Sequence, residues 1–186
     1  MNISDFTQTF NRETGLKMTD NFPRIIIPDI FYDATVEICN TTNRETRGVL
    51  ICKKFPNSSF LIESVLVLGT GTSYEVFPEE KRLRAAQALL SRHPEFIAVD
   101  FHSHTTGTGE SFYENFSSDD ISSLARAVSG YNGYMHVLFT PTHICTFGLQ
   151  QPYFCVAEIT NRTPDQLISR FAEILNEFNE LRTFED

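Results

Sequence analysis

Tryptophan is absent from this 186-residue chain and positive charge is scarce, because 15 lysines and arginines stand against 24 aspartates and glutamates, for a formal net charge of -9. Such a composition offers little to offset phosphate repulsion, so neither a nucleic acid nor a membrane surface is expected as a partner. No apolar run approaches the ~20 residues that a membrane-spanning helix requires. Residues 1–8 contain neither a basic segment nor an apolar core, which predicts that no signal peptide is present and that the protein is cytoplasmic.

Cysteine is also sparse, and its four copies are scattered: they are Cys39, Cys52, Cys145 and Cys155. All four lie in apolar segments and none forms a Cys-x-x-Cys pair, so neither a zinc ribbon nor a disulfide framework is expected. We expect reduced cysteines that pack as small hydrophobic residues.

The remaining composition, with 41% hydrophobic and 21% charged residues, is typical of one globular domain. Residues 1–21 are polar and lack periodicity, which predicts a flexible N-terminal arm before a single domain over residues 22–186. Strand and helix patterns alternate without a strict β-α-β rhythm, which favours an α+β (mixed α/β) fold. The predicted strands cover residues 24–27, 48–52, 60–67, 74–77, 96–102, 135–139, 144–147 and 153–157. The predicted helices cover residues 29–40, 78–91, 117–129 and 164–181, the last an amphipathic helix whose apolar stripe suits core packing.

The most informative motif is His102-Ser103-His104, which follows the apolar segment 96–101. On a strand, the i, i+2 spacing puts both imidazoles on the same side, where they can bind one ion. Asp120, at the start of the next predicted helix, can supply a third ligand. Two imidazoles, one carboxylate and one open position are typical of a catalytic zinc site. The sequence therefore predicts Zn²⁺ bound by His102, His104 and Asp120.

Two further motifs complete a pattern: Glu45-Thr46-Arg47-Gly48 after a predicted helix, and Ser117-x-x-Asp120 after the histidines. In this order the motifs resemble those of the JAMM (MPN+) zinc metalloproteases, which include the deubiquitinases of the proteasome lid and signalosome and related prokaryotic-type members. The resemblance runs from about residue 24 to residue 159. It implies a single MPN domain, related to the cytidine-deaminase fold, with a central mixed β-sheet flanked by helices. It also implies isopeptidase or peptidase activity on the C-terminal tail of a ubiquitin-like protein or its conjugates. It further implies that Glu45 is the general base and that Ser117 stabilises the oxyanion.

The chain departs from the family in one segment. Twelve residues separate His104 from Ser117, more than the family usually has, and Thr105 stands where the family usually has proline. The resulting loop, residues 105–116, carries glycines and aromatic residues. It is either a cover for an extended substrate tail or an inert insertion.

The longer loop permits a competing alignment in which Ser111 and Glu114 replace Ser117 and Asp120. We prefer Ser117 and Asp120, because Ser117 suits a helix N-cap and Ile121 continues an apolar helical stripe.

Two other functions stay open at this point. One is a metallohydrolase acting on small amides or on sulfur-carrier protein termini, which needs the same metal site. The other is a non-catalytic MPN-type scaffold, against which the joint presence of all the motif residues argues. His93, His136 and His143 are assigned no chemistry, and the oligomeric state is left open.

Overall fold

The computed structural model describes residues 24–41, 44–55, 59–71, 77–105, 117, 120, 134–141, 144–149, 156–160 and 165–183. Within these residues the chain forms seven strands and three helices. They are, in order, β1 (Arg24–Ile27), α1 (Asp29–Thr41), β2 (Thr46–Lys54), β3 (Ser59–Thr70), α2 (Glu80–Arg92), β4 (Phe96–Ser103), β5 (Tyr134–Phe139), β6 (Ile144–Leu149), β7 (Val156–Ile159) and α3 (Asp165–Thr183). The predicted N-terminal arm lies outside the described residues.

All seven strands belong to one mixed sheet in the order β6-β5-β4-β2-β3-β1-β7. Strand β2 pairs antiparallel with both β3 and β4, and β5 pairs antiparallel with β6. Parallel pairs join β4 to β5 and β1 to both β3 and β7. The predicted class, a mixed α/β fold around a mixed sheet, is therefore confirmed.

Helices cover both faces of this sheet, because successive side chains of a strand point to opposite sides. Leu50 and Cys52 of β2 belong to a buried cluster that includes residues of α1. Val49 and Ile51 of the same strand belong to a second cluster, which includes residues of α2 and α3. Three apolar residues of α3 are buried, as core packing predicts: Ile174, Phe178 and Leu181.

The strands differ from their predicted lengths near the candidate site. Strand β2 begins at Thr46 instead of residue 48, and β3 continues to Thr70 instead of ending at residue 67. Thr46 pairs with Thr70 and Arg47 with Gly69, so each strand extends because the other provides a partner. Phe77 was predicted to end a strand, but it is outside any strand and 67% exposed.

Other sequence predictions fall partly outside the described residues. Cys39 and Cys52 are buried free thiols, as expected, whereas the side chains of Cys145 and Cys155 are not described. No helix in the described part of the chain is long and apolar enough to cross a bilayer.

A pH-dependent contact joins the end of α2 to α3. His93 Nε2 lies 2.8 Å from Glu177 Oε2, and this hydrogen bond holds the pKa of Glu177 below its ordinary value. Since the folded-state pKa is lowered, the contact stabilises the fold above the unfolded-state pKa and is lost as pH falls through the folded-state pKa.

We expect Glu177→Gln to lower the free energy of unfolding by less than about 1 kcal/mol at pH 6, as for other partly exposed pairs. The difference from the unsubstituted protein should be smaller at pH 3 than at pH 6 in urea titrations, because protonation of Glu177 removes its charge. Glu180→Gln, on an exposed position of the same helix, is the control. An equal loss at both pH values would contradict the ionic origin of the effect.

Candidate metal centre

Strand β4 delivers both histidines of the motif to one place. His102 lies inside the sheet, paired with Arg47 of β2 and with Leu138 of β5. His104 follows the strand directly, and its backbone N–H donates a hydrogen bond to the carbonyl oxygen of Phe139 at 2.9 Å. Both imidazoles are buried, so their positions are fixed by the sheet.

The carboxylate of Asp120 meets these two imidazoles. Asp120 Oδ1 lies 3.2 Å from His102 Nε2, Oδ2 lies 3.4 Å from His104 Nε2, and the two Nε2 atoms are 3.3 Å apart. A tetrahedral zinc ion with bonds of about 2.0–2.1 Å separates its ligand atoms by about 3.3 Å. The three residues therefore form a group that can hold one metal ion, and their spacing fits zinc.

The electrostatics of His102, His104 and Asp120 also favour binding of a cation between them. Two imidazole nitrogens that face each other repel if both carry protons or both present lone pairs, whereas one cation can accept both lone pairs. Burial alone would raise the pKa of Asp120, but hydrogen bonds from His102 and His104 outweigh it and hold that pKa well below the ordinary range. Asp120 is therefore a carboxylate at every physiological pH.

Ser117 and Asp120 cap each other at the start of a helical turn. The backbone N–H of Asp120 donates to Ser117 Oγ at 3.1 Å, while the Ser117 backbone N–H and hydroxyl donate to Asp120 Oδ2 at 2.8 and 2.7 Å. This reciprocal arrangement is a capping box, so the cap expected at Ser117 is present. A hydroxyl has one proton, so donation to an oxyanion requires Ser117 to rotate away from Asp120.

Glu45 is held beside the group by its backbone. Its carbonyl oxygen accepts a hydrogen bond from Gly71 N–H at 2.9 Å, and the next residue, Thr46, donates its N–H to Ser103 Oγ at 2.9 Å. Burial raises the pKa of Glu45 to about 7; the charge of His104 lowers it and that of Asp120 raises it. The carboxyl is thus within electrostatic reach of two of the candidate ligands. A pKa near 7 suits a group that accepts protons at neutral pH.

Close packing requires a glycine at position 48, three residues after Glu45. A Cβ atom on Gly48 would lie 2.1 Å from the carbonyl oxygen of Leu66 and 2.7 Å from the ring of Phe101. The pairing of β2 with β3 also shifts register between Arg47 and Gly48. Such irregularities re-aim side chains next to functional sites, and this one lies between Glu45 and the regular part of β2.

Ser103 links the strand of the histidines to Glu45, which leads to a stability prediction. In Ser103→Ala, the buried N–H of Thr46 loses its acceptor, and we expect the free energy of unfolding to fall by about 1–3 kcal/mol. Chemical denaturation of the metal-free protein measures this loss.

The matched control is Ser103→Thr, which keeps the hydroxyl. A cavity of about 30 Å³ beside Ser103, lined in part by Cys39, Val65 and Val67, provides space for the added methyl group. If threonine destabilises the protein as much as alanine does, the hydrogen bond to Thr46 is not the reason.

His136 lies at this site, although the sequence analysis assigned it no role. His136 is buried on β5, and the strand register pairs it with Asp100 of β4. Its Nε2 atom lies 2.6 Å from Nδ1 of His102. Burial lowers the pKa of His136 well below its ordinary value, and the nearby charges of His102 and Arg47 lower it further. The alternation of His136 with apolar residues is typical of a core or edge histidine, and the pairing of β5 with β4 has no local signal in the sequence.

The other sequence candidates lie away from this group or outside the described residues. His93 makes the contact with Glu177 described above. His143, Ser111 and Glu114 fall outside the described residues, as does the loop over residues 106–116. The structure therefore brings together His102, His104 and Asp120 with Ser117, and Glu45 lies within their electrostatic reach; zinc binding and catalysis stay predictions.

Comparison with known proteins identifies the fold but no family. No protein-family model matches the chain, and no curated protein has a similar sequence. The fold is similar to the solution structure of protein DSY2949 from Desulfitobacterium hafniense, with a TM-score of 0.52 and 12% identity, over 77% of this chain and 97% of that one. At this identity the likeness concerns the fold alone.

Proposed function

We propose that this protein is a zinc-dependent hydrolase of amide or isopeptide bonds, of the JAMM type. The observation that carries the proposal is the convergence of His102, His104 and Asp120, whose ligand atoms all lie within 4.8 Å of one another. Three protein ligands leave a fourth position open, which is the arrangement of catalytic rather than structural zinc sites.

The residues around the group have separate roles in this proposal. A bound zinc ion polarises a carbonyl group and lowers the pKa of water to about 7. Glu45 accepts the proton from the attacking water and delivers it to the leaving amine, for which its raised pKa is suited. Ser117 turns its hydroxyl from Asp120 towards the substrate and donates a hydrogen bond to the oxyanion.

The substrate class is proposed from the resemblance of the motifs to the JAMM enzymes. A ubiquitin-like protein joined through its C-terminal tail to a lysine amine, or extended by a few residues, presents the bond that these enzymes cut. The complete set of Glu45, Ser117 and the three ligands favours an enzyme over a non-catalytic scaffold. Hydrolysis of small amides or of sulfur-carrier protein termini uses the same metal site and differs only in the substrate.

The test combines metal analysis with a substrate panel. We expect about one zinc ion per chain in the purified protein, and cleavage of a ubiquitin-like conjugate that a chelator stops and added zinc restores. Cleavage of a small amide or a sulfur-carrier terminus, but of no conjugate, would favour the alternative substrates. Protein that binds no zinc after incubation with the ion would exclude both enzymes.

A further inference from the structure

The ring of His102 presents its two nitrogens to different partners. Its Nε2 faces His104 and Asp120, whereas its Nδ1 lies 2.6 Å from Nε2 of His136 on the neighbouring strand. Both histidines are buried, and β4 and β5 pair in parallel through Asp100 and His136. The contact between the rings is therefore fixed by the sheet.

The short distance identifies this contact as a hydrogen bond and not as a fourth metal ligand. Two nitrogens bound to one zinc ion lie about 3.3 Å apart, which is farther than the distance between these two atoms. The nitrogen that faces His136 is also not the one that faces Asp120. One of the two rings must therefore donate a proton to the other.

The direction of donation decides whether His102 can bind a metal. If His136 donates, the proton of His102 is on Nε2, and the lone pair that a metal needs is lost. If His102 donates from Nδ1, its Nε2 lone pair points towards His104 and Asp120. A metal-ligating histidine generally donates the N–H of its second ring nitrogen to a hydrogen-bond acceptor. This bond fixes both the tautomer and the orientation of the ring.

We propose that His136 is a positioning residue for the metal site: its Nε2 accepts the Nδ1 proton of His102 and so holds His102 in the tautomer and orientation that bind the ion. The inference rests on the metal site proposed above. His136 touches neither substrate nor metal in this arrangement, and it acts through His102.

The test uses three full-length variants and the zinc ion as the probe. His136→Leu removes the acceptor at similar size, and His136→Gln keeps an acceptor oxygen on a side chain of similar reach. His93→Gln changes a histidine that precedes β4, at the end of the strand opposite His102, and serves as the matched control. Zinc affinity is measured by competition with a chromophoric chelator, and the stability of each metal-free protein is measured separately.

We expect His136→Leu to weaken zinc binding about 10–100-fold, as for other partners of ligating histidines. His136→Gln should retain most of the affinity, and His93→Gln all of it. A purely structural role would lower the stability of the metal-free leucine and glutamine variants without this difference in zinc affinity. Unchanged affinity in His136→Leu, or an equal loss in His136→Gln, would overturn the inference while leaving the metal site intact.

A measurement on the unsubstituted protein covers the case in which the leucine variant does not fold. In the zinc-bound protein, nitrogen-15 NMR of the histidine rings should show the proton of His102 on Nδ1, and a scalar coupling through the hydrogen bond to Nε2 of His136. Zinc-bound protein in which the proton shared by the two rings is on Nε2 of His136 and not on Nδ1 of His102 would overturn the inference. If the unsubstituted protein binds no zinc, the proposed function fails and the inference fails with it.

Discussion

Alanine at His102, His104 or Asp120 is expected to abolish stoichiometric zinc binding, and hydrolysis with it. Each substitution removes one of three ligand atoms whose mutual distances match a zinc tetrahedron. The loss should exceed the ~10–100-fold that is typical when only a hydrogen-bond partner of a ligand is removed. Zinc content after dialysis, together with circular dichroism to check the fold, measures the effect.

Glu114→Ala is the control for the carboxylate, since Glu114 is the alternative to Asp120 in the competing alignment. We expect this variant to keep its zinc. The opposite result, zinc lost in Glu114→Ala and kept in Asp120→Ala, would show that the competing alignment across the loop is correct.

Glu45→Gln is expected to lower kcat about 10²–10⁴-fold, the usual contribution of a general base, while zinc stays bound. The amide keeps the shape of the side chain but cannot accept a proton. In the unsubstituted enzyme kcat/KM should fall as pH decreases through the pKa of Glu45, because the protonated carboxyl is inactive. This acid limb should lie below pH 7, since a bound cation lowers the pKa from the value of about 7 set mainly by burial.

The glutamine variant should lack this acid limb in a pH–rate profile. A variant that retains most of its turnover, or that loses its zinc, would remove Glu45 from the proposed mechanism. Glu63→Gln, on β3, is a control in which one buried carboxyl is replaced outside the group.

Glu45→Gln should also stabilise the metal-free protein above neutral pH. A folded-state pKa of about 7, against the ordinary value of 4.5, means that ionising Glu45 costs stability as pH rises between these values. At about 1.4 kcal/mol per pH unit the cost is at most about 3.5 kcal/mol, and solvent screening reduces it. Glu45→Gln should therefore raise the free energy of unfolding at pH 8 and leave it unchanged at pH 4. An equal change at both pH values would rule out ionisation as the cause.

Local patterns in the sequence were enough to predict the paired histidines and the capped aspartate, but not that Asp120 meets the two imidazoles. The i, i+2 spacing places His102 and His104 on one side of any strand, whatever that strand pairs with. The Ser117-x-x-Asp120 spacing likewise matches the capping box, in which the two side chains bond each other's backbone within one helical turn. These arrangements depend on residues a few positions apart, so chain geometry alone fixes them.

The sequence alone thus determined the mixed fold class, the paired histidines and the capped aspartate, because each follows from a short-range period of the backbone. Only the tertiary structure decided that Thr46 and Thr70 extend their strands, that Ser103 anchors the backbone next to Glu45, and that His136 contacts His102. These contacts join residues 24, 57 and 34 positions apart. No local period records which strands become neighbours, since that choice depends on how the whole chain buries its apolar faces.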